Sequence, residues 1–228
     1  MSSLKNDSPN PIGQPTIVGL SPGQALAFAC ARCGRCCANQ VIQLNPHEVW
    51  RLARGLGLAT SAFIAAHTHD AGLFLRFSDD GRCGFLTPAG CAVHPHRPLA
   101  CRLYPLGLEE DAAGREVFAP LVRHPGCQGD ADPAGRGATV AEFLAGQGIA
   151  PYLAAQRAYL GVAREIEAGL DGLEQTARRR SLAGLVGDGR APGPWQDLDL
   201  AIGPGQTDPA QALARHLAFL RGWLADQG

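Results

Sequence analysis

Apolar residues recur at helical spacing in the stretch that follows Asn45. Asn45 is a favoured N-cap and Glu48 is placed to complete a capping box, so the pattern predicts a helix that ends at Gly57. Its apolar face comprises Val49, Leu52, Ala53 and Leu56. A short strand is predicted before this helix, at residues 41–44, and a second short helix after it, at residues 61–67.

Alternating apolar residues and turn signals in the middle of the chain predict two antiparallel hairpins. The first joins residues 73–77 to 82–86 across a Ser-Asp-Asp-Gly turn, and the second joins residues 106–110 to 115–121. Between the hairpins, residues 97–102 are typical of one short turn of helix, because a proline follows soon afterwards. This part of the chain is therefore expected to contain short elements only.

Longer helical periods begin after about residue 135, where the composition shifts. Thr139 and Glu142 form a capping-box pattern that opens a short helix, and a longer helix is predicted from Pro151. Helix is predicted again at residues 173–182, and a Gly/Pro-rich loop without a clear period follows at residues 184–207.

The longest predicted helices of this part are amphipathic. The apolar stripe of the helix that begins at Pro151 comprises Tyr152, Ala155, Tyr159, Val162 and Ile166. The stripe of the final helix, which Asp208 caps, comprises Leu213, Leu217, Leu220 and Leu224. Both stripes are interpreted as packing surfaces, so the final helix is expected to pack onto the rest of the chain.

Composition and charge narrow the class of protein. The chain has 228 residues, of which 46% are hydrophobic and 18% charged, and this is typical of a globular protein with a sizeable core. The formal net charge is −1, and acidic and basic residues are balanced on both sides of residue 135. Because neither half is strongly basic, nucleic acid is not expected as the main partner.

The chain shows no signal for export or for insertion into a membrane. Residues 1–20 contain neither a continuous apolar stretch nor a basic start, and no window approaches 18 apolar residues without charge. We therefore expect a cytoplasmic protein without a membrane partner. Because cytoplasmic thiols stay reduced, clustered cysteines are expected to bind metal rather than to form disulfides.

All eight cysteines lie within the first 127 residues, and four of them fall within eight residues in the pattern C-x2-C-x2-C-C. This spacing lets neighbouring thiolates converge on a metal, with Gly34 allowing a tight turn between them. The predicted metal ligands are Cys30, Cys33, Cys36, Cys37, Cys83, Cys91, Cys101 and Cys127. They are enough for two four-cysteine centres, or for one centre with neighbouring thiols.

The spacing favours an iron–sulfur cluster, of the 4Fe-4S type, over zinc. Zinc ribbons pair one C-x2-C with another, whereas this chain has one dense group and four scattered cysteines. Cys36 and Cys37 are adjacent, so their side chains can serve different centres, or only one of them can be a direct ligand.

The segment between residues 26 and 130 resembles the CxxCxxCC family of zinc- or iron-chelating proteins, also called YkgJ-like, which includes flagellin lysine N-methylases. The resemblance rests on the dense cysteine group after Phe28, on Cys83-x-Phe-Leu, on Cys91, on Arg97-Pro-x2-Cys-Arg-x-Tyr-Pro and on Gly-Cys127. It implies a metal or iron–sulfur centre, and it implies no single reaction.

Arginines and histidines accompany the cysteines. A cluster with four thiolates is a net anion, so nearby cations stabilise it, and Arg97 and Arg102 are the candidate cofactor-binding residues. Histidine can replace cysteine as a ligand, and the candidates are His67, His69, His94, His96 and His124. For each histidine the alternative is an ordinary solvated or hydrogen-bonded loop residue.

The predicted fold class is α+β, a small metal-centred domain of short helices and antiparallel hairpins with a helical C-terminal segment. Three parts are expected: a flexible N-terminal tail at residues 1–24, a cysteine-cluster metal-binding domain at 25–135 and the helical segment at 136–228.

Three functions remain open at this point. The first is an iron–sulfur protein in redox or protein-modification chemistry, with a protein substrate or a redox partner. The second is a zinc-stabilised interaction domain without catalysis. The third, implied by the resemblance, is a protein lysine N-methyltransferase. No hydrolase, NTPase or dinucleotide-binding motif occurs, so the sequence identifies no catalytic residues.

Overall fold

The computed structural model describes residues 19–111, 114–129, 138–171, 173–187 and 191–227. In these residues it contains eight α-helices and three two-stranded antiparallel sheets, which confirms the predicted α+β class. The predicted N-terminal tail lies outside the described residues as far as residue 18. No helix of the described part combines the length and apolar character needed to cross a membrane.

The first two helices form as the sequence predicts. Helix α1 spans Pro46–Gly55, and helix α2 spans Thr60–His67. At the start of α1, the Asn45 side chain accepts a hydrogen bond from the Glu48 amide, and the Glu48 carboxylate accepts one from the Asn45 amide. These reciprocal bonds satisfy two amides that a helix start leaves without partners.

The strands are shorter than predicted. Strand β1 (Thr68–His69) pairs with β2 (Phe74–Leu75), and β3 (Leu86–Thr87) pairs with β4 (Gly90–Cys91). Strand β5 (Leu106–Glu110) pairs with β6 (Glu116–Pro120) over five residue pairs, which confirms the second predicted hairpin.

The first predicted hairpin is largely wrong. Residues 73–77 and 82–86 share one bridge, between Phe77 and Cys83, and the strand predicted at 41–44 contributes one more bridge. After Cys83 the chain turns, because the Leu86 amide donates back to the Cys83 carbonyl and the Phe85 ring turns inward. Phe85 stacks on Phe63 at a centroid distance of 6.2 Å, and residues 86–87 pair with β4 instead of with residues 73–77.

The next helix carries a predicted cysteine. Helix α3 (Leu99–Leu103) is the short turn predicted near residues 97–102, and it includes Cys101. The longer helices follow: α4 (Val140–Gly146), α5 (Ala150–Leu170) and α6 (Gln175–Val186).

A short helix was missed in the segment predicted as loop. Helix α7 (Leu198–Ile202) forms there because Asp197 caps it, with a side-chain oxygen 3.1 Å from the Leu200 amide nitrogen. The final helix α8 (Pro209–Ala225) begins at the predicted Asp208 cap. Its Leu220 is fully buried and Leu213, Leu217 and Leu224 are partly buried in the same core, so α8 packs as predicted.

Three main apolar cores hold these elements together. The first core lies between α1, α2 and the segment around β2 and Phe85. The second contains residues from both sides of the predicted boundary at 135, with Phe28 and Leu103 on one side and Phe143 and Tyr152 on the other. The third lies within the helical segment, between α5, α6 and α8. The N-terminal and C-terminal parts therefore share a core instead of meeting only at their surfaces.

Buried polar groups also connect the two parts. Asp199 accepts hydrogen bonds from the Thr60 amide at the start of α2 and from the Arg54 guanidinium on α1. The Gln196 amide nitrogen donates to the carbonyls of Leu44 and Gly72, at 3.0 and 2.7 Å. These contacts fix the segment before α7 onto the first core, and they satisfy groups that would be costly to bury alone.

A buried histidine in the third core gives a prediction about acid stability. The His216 ring lies between the Tyr159 hydroxyl and the Pro194 carbonyl, at 2.9 and 2.8 Å, and burial lowers its pKa to about 4. An unfolded histidine titrates near pH 6.5, so between these values the unfolded chain binds more protons than the folded one. The contribution of His216 is complete above about pH 6.5 and falls as the pH drops towards 4.

His216→Gln keeps an N–H that can donate to the Pro194 carbonyl and removes this titration. We expect the free energy of unfolding of the wild type to fall more steeply than that of the variant between pH 6.5 and 4.5, by at most ~1.4 kcal/mol per pH unit. Chemical denaturation at several pH values measures both slopes. Parallel slopes would contradict the prediction.

Candidate metal centre

All eight predicted ligands are free thiols in the structure. Seven of them are partly buried, and Cys30 is exposed. Cys101 lies in the middle of α3, and the others lie in or beside turns and short elements, so that most sulfur positions depend on loop conformation more than on regular structure.

The dense cysteine group is folded around one left-handed glycine. Gly34 has φ of 71°, and a 3₁₀ turn follows at Arg35–Cys37, closed by a hydrogen bond of 3.0 Å from the Cys37 amide to the Gly34 carbonyl. A Cβ at position 34 would lie 2.9 Å from Leu86, so both the backbone and the space require glycine. The Cys83 amide donates to the Cys37 carbonyl at 2.8 Å and brings the next cysteine beside the turn.

Five of the thiols influence one another electrostatically, and we refer to them as the five-thiol set. Its members are Cys36, Cys37, Cys83, Cys91 and Cys101. Three of the five, Cys83, Cys91 and Cys101, pack against the first apolar core. The set therefore joins the cysteine turn, the end of the β2 segment, strand β4 and helix α3.

The pKa values within the set show the cost of gathering thiols. A hydrogen bond from Cys37 lowers the pKa of Cys36 to about 7, and the same bond raises the pKa of Cys37. Burial raises the pKa of Cys83, Cys91 and Cys101, and neighbouring thiols of the set raise it further. Without a metal, most of these groups are therefore neutral thiols at pH 7.

Backbone amides point at three of the sulfurs with the same spacing. The amides of Arg35, Phe85 and Val93 donate towards the thiols of Cys33, Cys83 and Cys91, each two residues earlier in the chain. Hydrogen bonds of this kind favour the thiolate form and tune a metal–thiolate centre. The repeated geometry supports ligand roles for all three cysteines.

Cys33 and Cys127 form a separate pair. The thiol of Cys127 hydrogen-bonds to Cys33, and the Gln128 amide nitrogen lies 3.5 Å from the Cys33 sulfur. The Gln128 amide is the largest influence that lowers the pKa of Cys33. Cys127 packs against the second core and interacts with the Tyr104 hydroxyl. Cys127 therefore lies on a different core from Cys83, Cys91 and Cys101, whereas Cys33 is also influenced electrostatically by Cys36 of the five-thiol set.

Cys30 lies apart from both groups of thiols. It is exposed, and its described interaction is electrostatic, with Arg97. Its predicted role as a ligand stays a prediction.

The two predicted cofactor-binding arginines differ in their contacts with the thiols. Arg97 acts electrostatically on Cys36 and Cys91 of the five-thiol set, and it is held by the His94 carbonyl at 2.7 Å and the Gln147 side chain at 2.6 Å. Its position is the one expected of a cation beside an anionic centre. Its role as a cofactor-binding residue remains a prediction.

Arg102 is buried, and its described contacts are with backbone carbonyls and with Tyr152. Its guanidinium donates to the carbonyls of Pro95 and Gln147 and to the Tyr152 hydroxyl, and it lies 4.1 Å from the centre of the Tyr152 ring. This geometry favours a structural role, because its described hydrogen bonds join α3 to the start of α5. The predicted cofactor contact of Arg102 gains no support from these contacts.

The candidate histidines take mixed positions. His67 packs against Phe85, with ring centroids 4.9 Å apart, and His96 packs against Gly55. His94 lies beside Arg97, His69 stacks on Phe74, and the buried Nδ1 atom of His124 has no partner among the described groups. A ligand role for any of them stays a prediction.

One buried acid was missed as part of this site. Glu48 is only 2% exposed and acts electrostatically on Cys101. Beyond its predicted capping of α1, its second oxygen lies 2.6 Å from the Leu99 amide nitrogen at the start of α3. Burial raises the pKa of Glu48 to about 7, although the two amides and Arg102 act in the opposite direction. The capping-box spacing in the sequence predicts only the contact of Glu48 with the start of α1, and not its contact with Leu99.

The donor set suits a soft or borderline metal. Among the described residues, no group of three or more His, Cys, Asp and Glu side chains is placed so that it could hold a metal ion. The thiols of the five-thiol set are nevertheless the ligands that zinc and iron–sulfur clusters prefer, and amides and Arg97 already favour their ionised forms. Binding therefore requires these thiols to turn towards a common point and to lose their protons.

The comparison with protein families agrees with this chemistry. Residues 29–118 match the family CxxCxxCC, whose description is "Putative zinc- or iron-chelating domain". This segment is a CxxCxxCC domain. It is a metal-chelating cysteine-cluster domain, and the match covers seven of the eight cysteines but ends before Cys127. The curated proteins and the solved structures that were compared contain no match to the chain.

The turn at Gly34 gives a prediction about the CxxCxxCC domain. Gly34→Ala should destabilise the protein by about 1–2 kcal/mol through the left-handed backbone alone, with a further loss because the new methyl group would contact Leu86. Metal content after purification should fall as well, because the turn positions Cys36 and Cys37.

Gly57→Ala is the matched control for this variant. Gly57 has φ of 70°, but among the described atoms none lies within 4 Å of its would-be Cβ. It should therefore lose stability through backbone strain while keeping wild-type metal content. Equal metal loss in both variants, measured by elemental analysis, would show that the Gly34 turn has no specific role at the site.

Proposed function

We propose that the CxxCxxCC domain holds an iron–sulfur cluster that serves redox or protein-modification chemistry. The observation that carries this proposal is the five-thiol set with Arg97 beside it. A four-thiolate centre carries net negative charge whether it holds zinc or an iron–sulfur cluster, and Arg97 would offset that charge in either case. The cysteine spacing, with one dense group and four scattered cysteines instead of two paired C-x2-C motifs, is what favours the cluster.

The residues that would hold the cluster come from the five-thiol set. The set has one thiol more than four-thiolate ligation requires. Because Cys36 and Cys37 are neighbours and are hydrogen-bonded to each other, we expect only one of them to be a ligand. Of these two, Cys36 has the thiol that ionises more readily, and the positive charge of Arg97 favours its ionised form. We therefore assign Cys36 as the direct ligand and Cys37 as its hydrogen-bond donor.

The protein groups around the set each have a definite task. The Phe85 and Val93 amides donate towards the thiols of Cys83 and Cys91 and partly oppose the rise in pKa that burial causes, and Arg97 would offset the negative charge of the ionised thiols. The apolar side chains of the first core keep water from one side of the set. A bound iron–sulfur cluster would supply one-electron transfer at this position.

A partner would reach the site from the side of the dense cysteine group. Ala29, Cys30, Ala31, Arg32 and Arg35 are exposed there, in contrast to the core-facing side of the set. We propose that a redox partner or a protein substrate approaches this surface, and that the chemistry takes place in the cytoplasm, where thiols stay reduced.

Purification without oxygen tests the proposal directly. We expect iron and acid-labile sulfide in similar amounts, and a visible absorption band that dithionite bleaches. The protein should be analysed for zinc in parallel. A colourless protein with zinc and no sulfide would contradict the iron–sulfur proposal and would favour the zinc-stabilised interaction domain.

A serine series locates the ligands. Serine replaces a soft thiolate by a hard, poorly ionised hydroxyl, so Cys83→Ser, Cys91→Ser and Cys101→Ser should each lose most of the bound metal. Cys36→Ser should lose more than Cys37→Ser, because Cys37 is assigned as a donor to its neighbour.

The separate pair gives the internal comparison for this series. If Cys33 and Cys127 belong to a second centre, their serine variants should lose the metal of that centre and keep the metal that the serine variants of the five-thiol set lose. Metal and sulfide content of each variant, prepared without oxygen, is the measurement. Wild-type content in most variants would contradict the ligand assignment.

A further inference from the structure

The Glu48 carboxylate connects the starts of two helices. One oxygen lies 2.9 Å from the Asn45 amide nitrogen at the start of α1, and the other lies 2.6 Å from the Leu99 amide nitrogen at the start of α3. The side chain is buried, so water does not compete for these bonds. A buried carboxylate that accepts two backbone hydrogen bonds contributes more than an exposed cap does.

Helix α3 depends on this contact more than longer helices would. It has only five residues, and its N-cap residue Pro98 provides no side-chain hydrogen bond. At its other end Arg102 attaches the helix to Tyr152 and Gln147. Cys101 lies between these two attachments, so its sulfur position follows from both of them.

We propose that Glu48 is a positioning residue of the metal centre, which holds α3 by the Leu99 amide so that Cys101 stays within the five-thiol set. This inference rests on the proposed function in one respect, that Cys101 is a ligand. Glu48 lies on α1, distant in sequence from every cysteine after Cys37, and it transmits its effect through the backbone of α3.

The chemistry of the side chain separates this role from ordinary helix capping. In Glu48→Gln the side-chain oxygen can still accept a hydrogen bond, but the side-chain NH2 group can only donate. Either the Leu99 amide or the Asn45 amide would therefore face another donor. In Asn45→Ala the cap of α1 is lost, because the Asn45 side chain accepts from the Glu48 amide, but the contact of Glu48 with Leu99 stays. Asn45→Ala is therefore a control within the same capping box.

A second control comes from the other capping box of the chain. Glu142 and Thr139 make the same reciprocal bonds at the start of α4, on the exposed surface. Glu142→Gln should change helix capping without an effect on any thiol.

The experiment compares three variants, Glu48→Gln, Asn45→Ala and Glu142→Gln, in the full-length protein. The first readout is retention of the bound metal against a chelator, and we expect Glu48→Gln to weaken it by about tenfold, as loss of a group that orients a ligand commonly does. The two controls should stay within about twofold of the wild type on the same scale.

The second readout is independent of metal loading. In metal-free protein, alkylation by iodoacetamide followed by mass spectrometry gives the reaction rate of each cysteine. Glu48→Gln should accelerate alkylation of Cys101 relative to Cys83 and Cys91 in the same molecule, whereas Asn45→Ala should leave these ratios unchanged. Circular dichroism establishes that the variants are folded. Glu48→Asp keeps the negative charge that raises the pKa of Cys101 but shortens the side chain by one methylene, so accelerated alkylation of Cys101 in this variant as well would show that position, and not loss of charge, is responsible. Wild-type reactivity of Cys101 in folded Glu48→Asp would contradict the positioning role.

The possible outcomes distinguish the positioning role of Glu48 from the iron–sulfur function of the domain. Unchanged Cys101 reactivity in folded Glu48→Gln, or an equal change in Asn45→Ala, would overturn the positioning role. Zinc instead of iron and sulfide in the wild type would overturn the iron–sulfur proposal, while the alkylation ratios would still decide the role of Glu48.

Discussion

The buried guanidinium of Arg102 is the interaction on which the arrangement of the two parts depends. It collects the carbonyls of Pro95, Arg97 and Gln147 and the Tyr152 hydroxyl around one planar cation. Because a guanidinium has five donors in a fixed geometry, these groups cannot move independently. The segment that contains α3 is thereby attached to the helical segment, and the shared second core completes the attachment.

This attachment matters because bringing thiols close together is energetically unfavourable for their ionised forms. Burial and mutual proximity disfavour their ionised forms, as the raised pKa values of Cys83, Cys91 and Cys101 show. The chain opposes this cost with amide donors and with Arg97. A metal would take over the same task, because the fold brings these sulfurs near one another and metal binding would complete their ionisation.

The sequence allowed accurate prediction wherever a local signal was strong. Capping residues such as Asn45 and Asp208 marked helix starts correctly, and the cysteine pattern identified the metal-chelating domain. The hairpin at 73–86 failed because the chain turns after Cys83 and Leu86 pairs with β4 instead. Helix α7 was missed because it has only five residues and lies in a Gly/Pro-rich stretch without a period, although Asp197 caps it locally. The second contact of Glu48 was missed because Leu99 lies far away in sequence, where local patterns do not reach.

The two thiol groups follow from the two cores beneath them. Cys83, Cys91 and Cys101 pack on the first core, whereas Cys127 packs on the second with Tyr104. Within the dense cysteine group, Cys37 is influenced by Cys83 and Cys101, Cys33 is hydrogen-bonded to Cys127, and Cys36 acts on both Cys33 and Cys37. The left-handed Gly34 stands at the point of division. A single tight turn thus lets neighbouring cysteines serve different surroundings, which explains why the pattern is so dense there and so sparse in the rest of the domain.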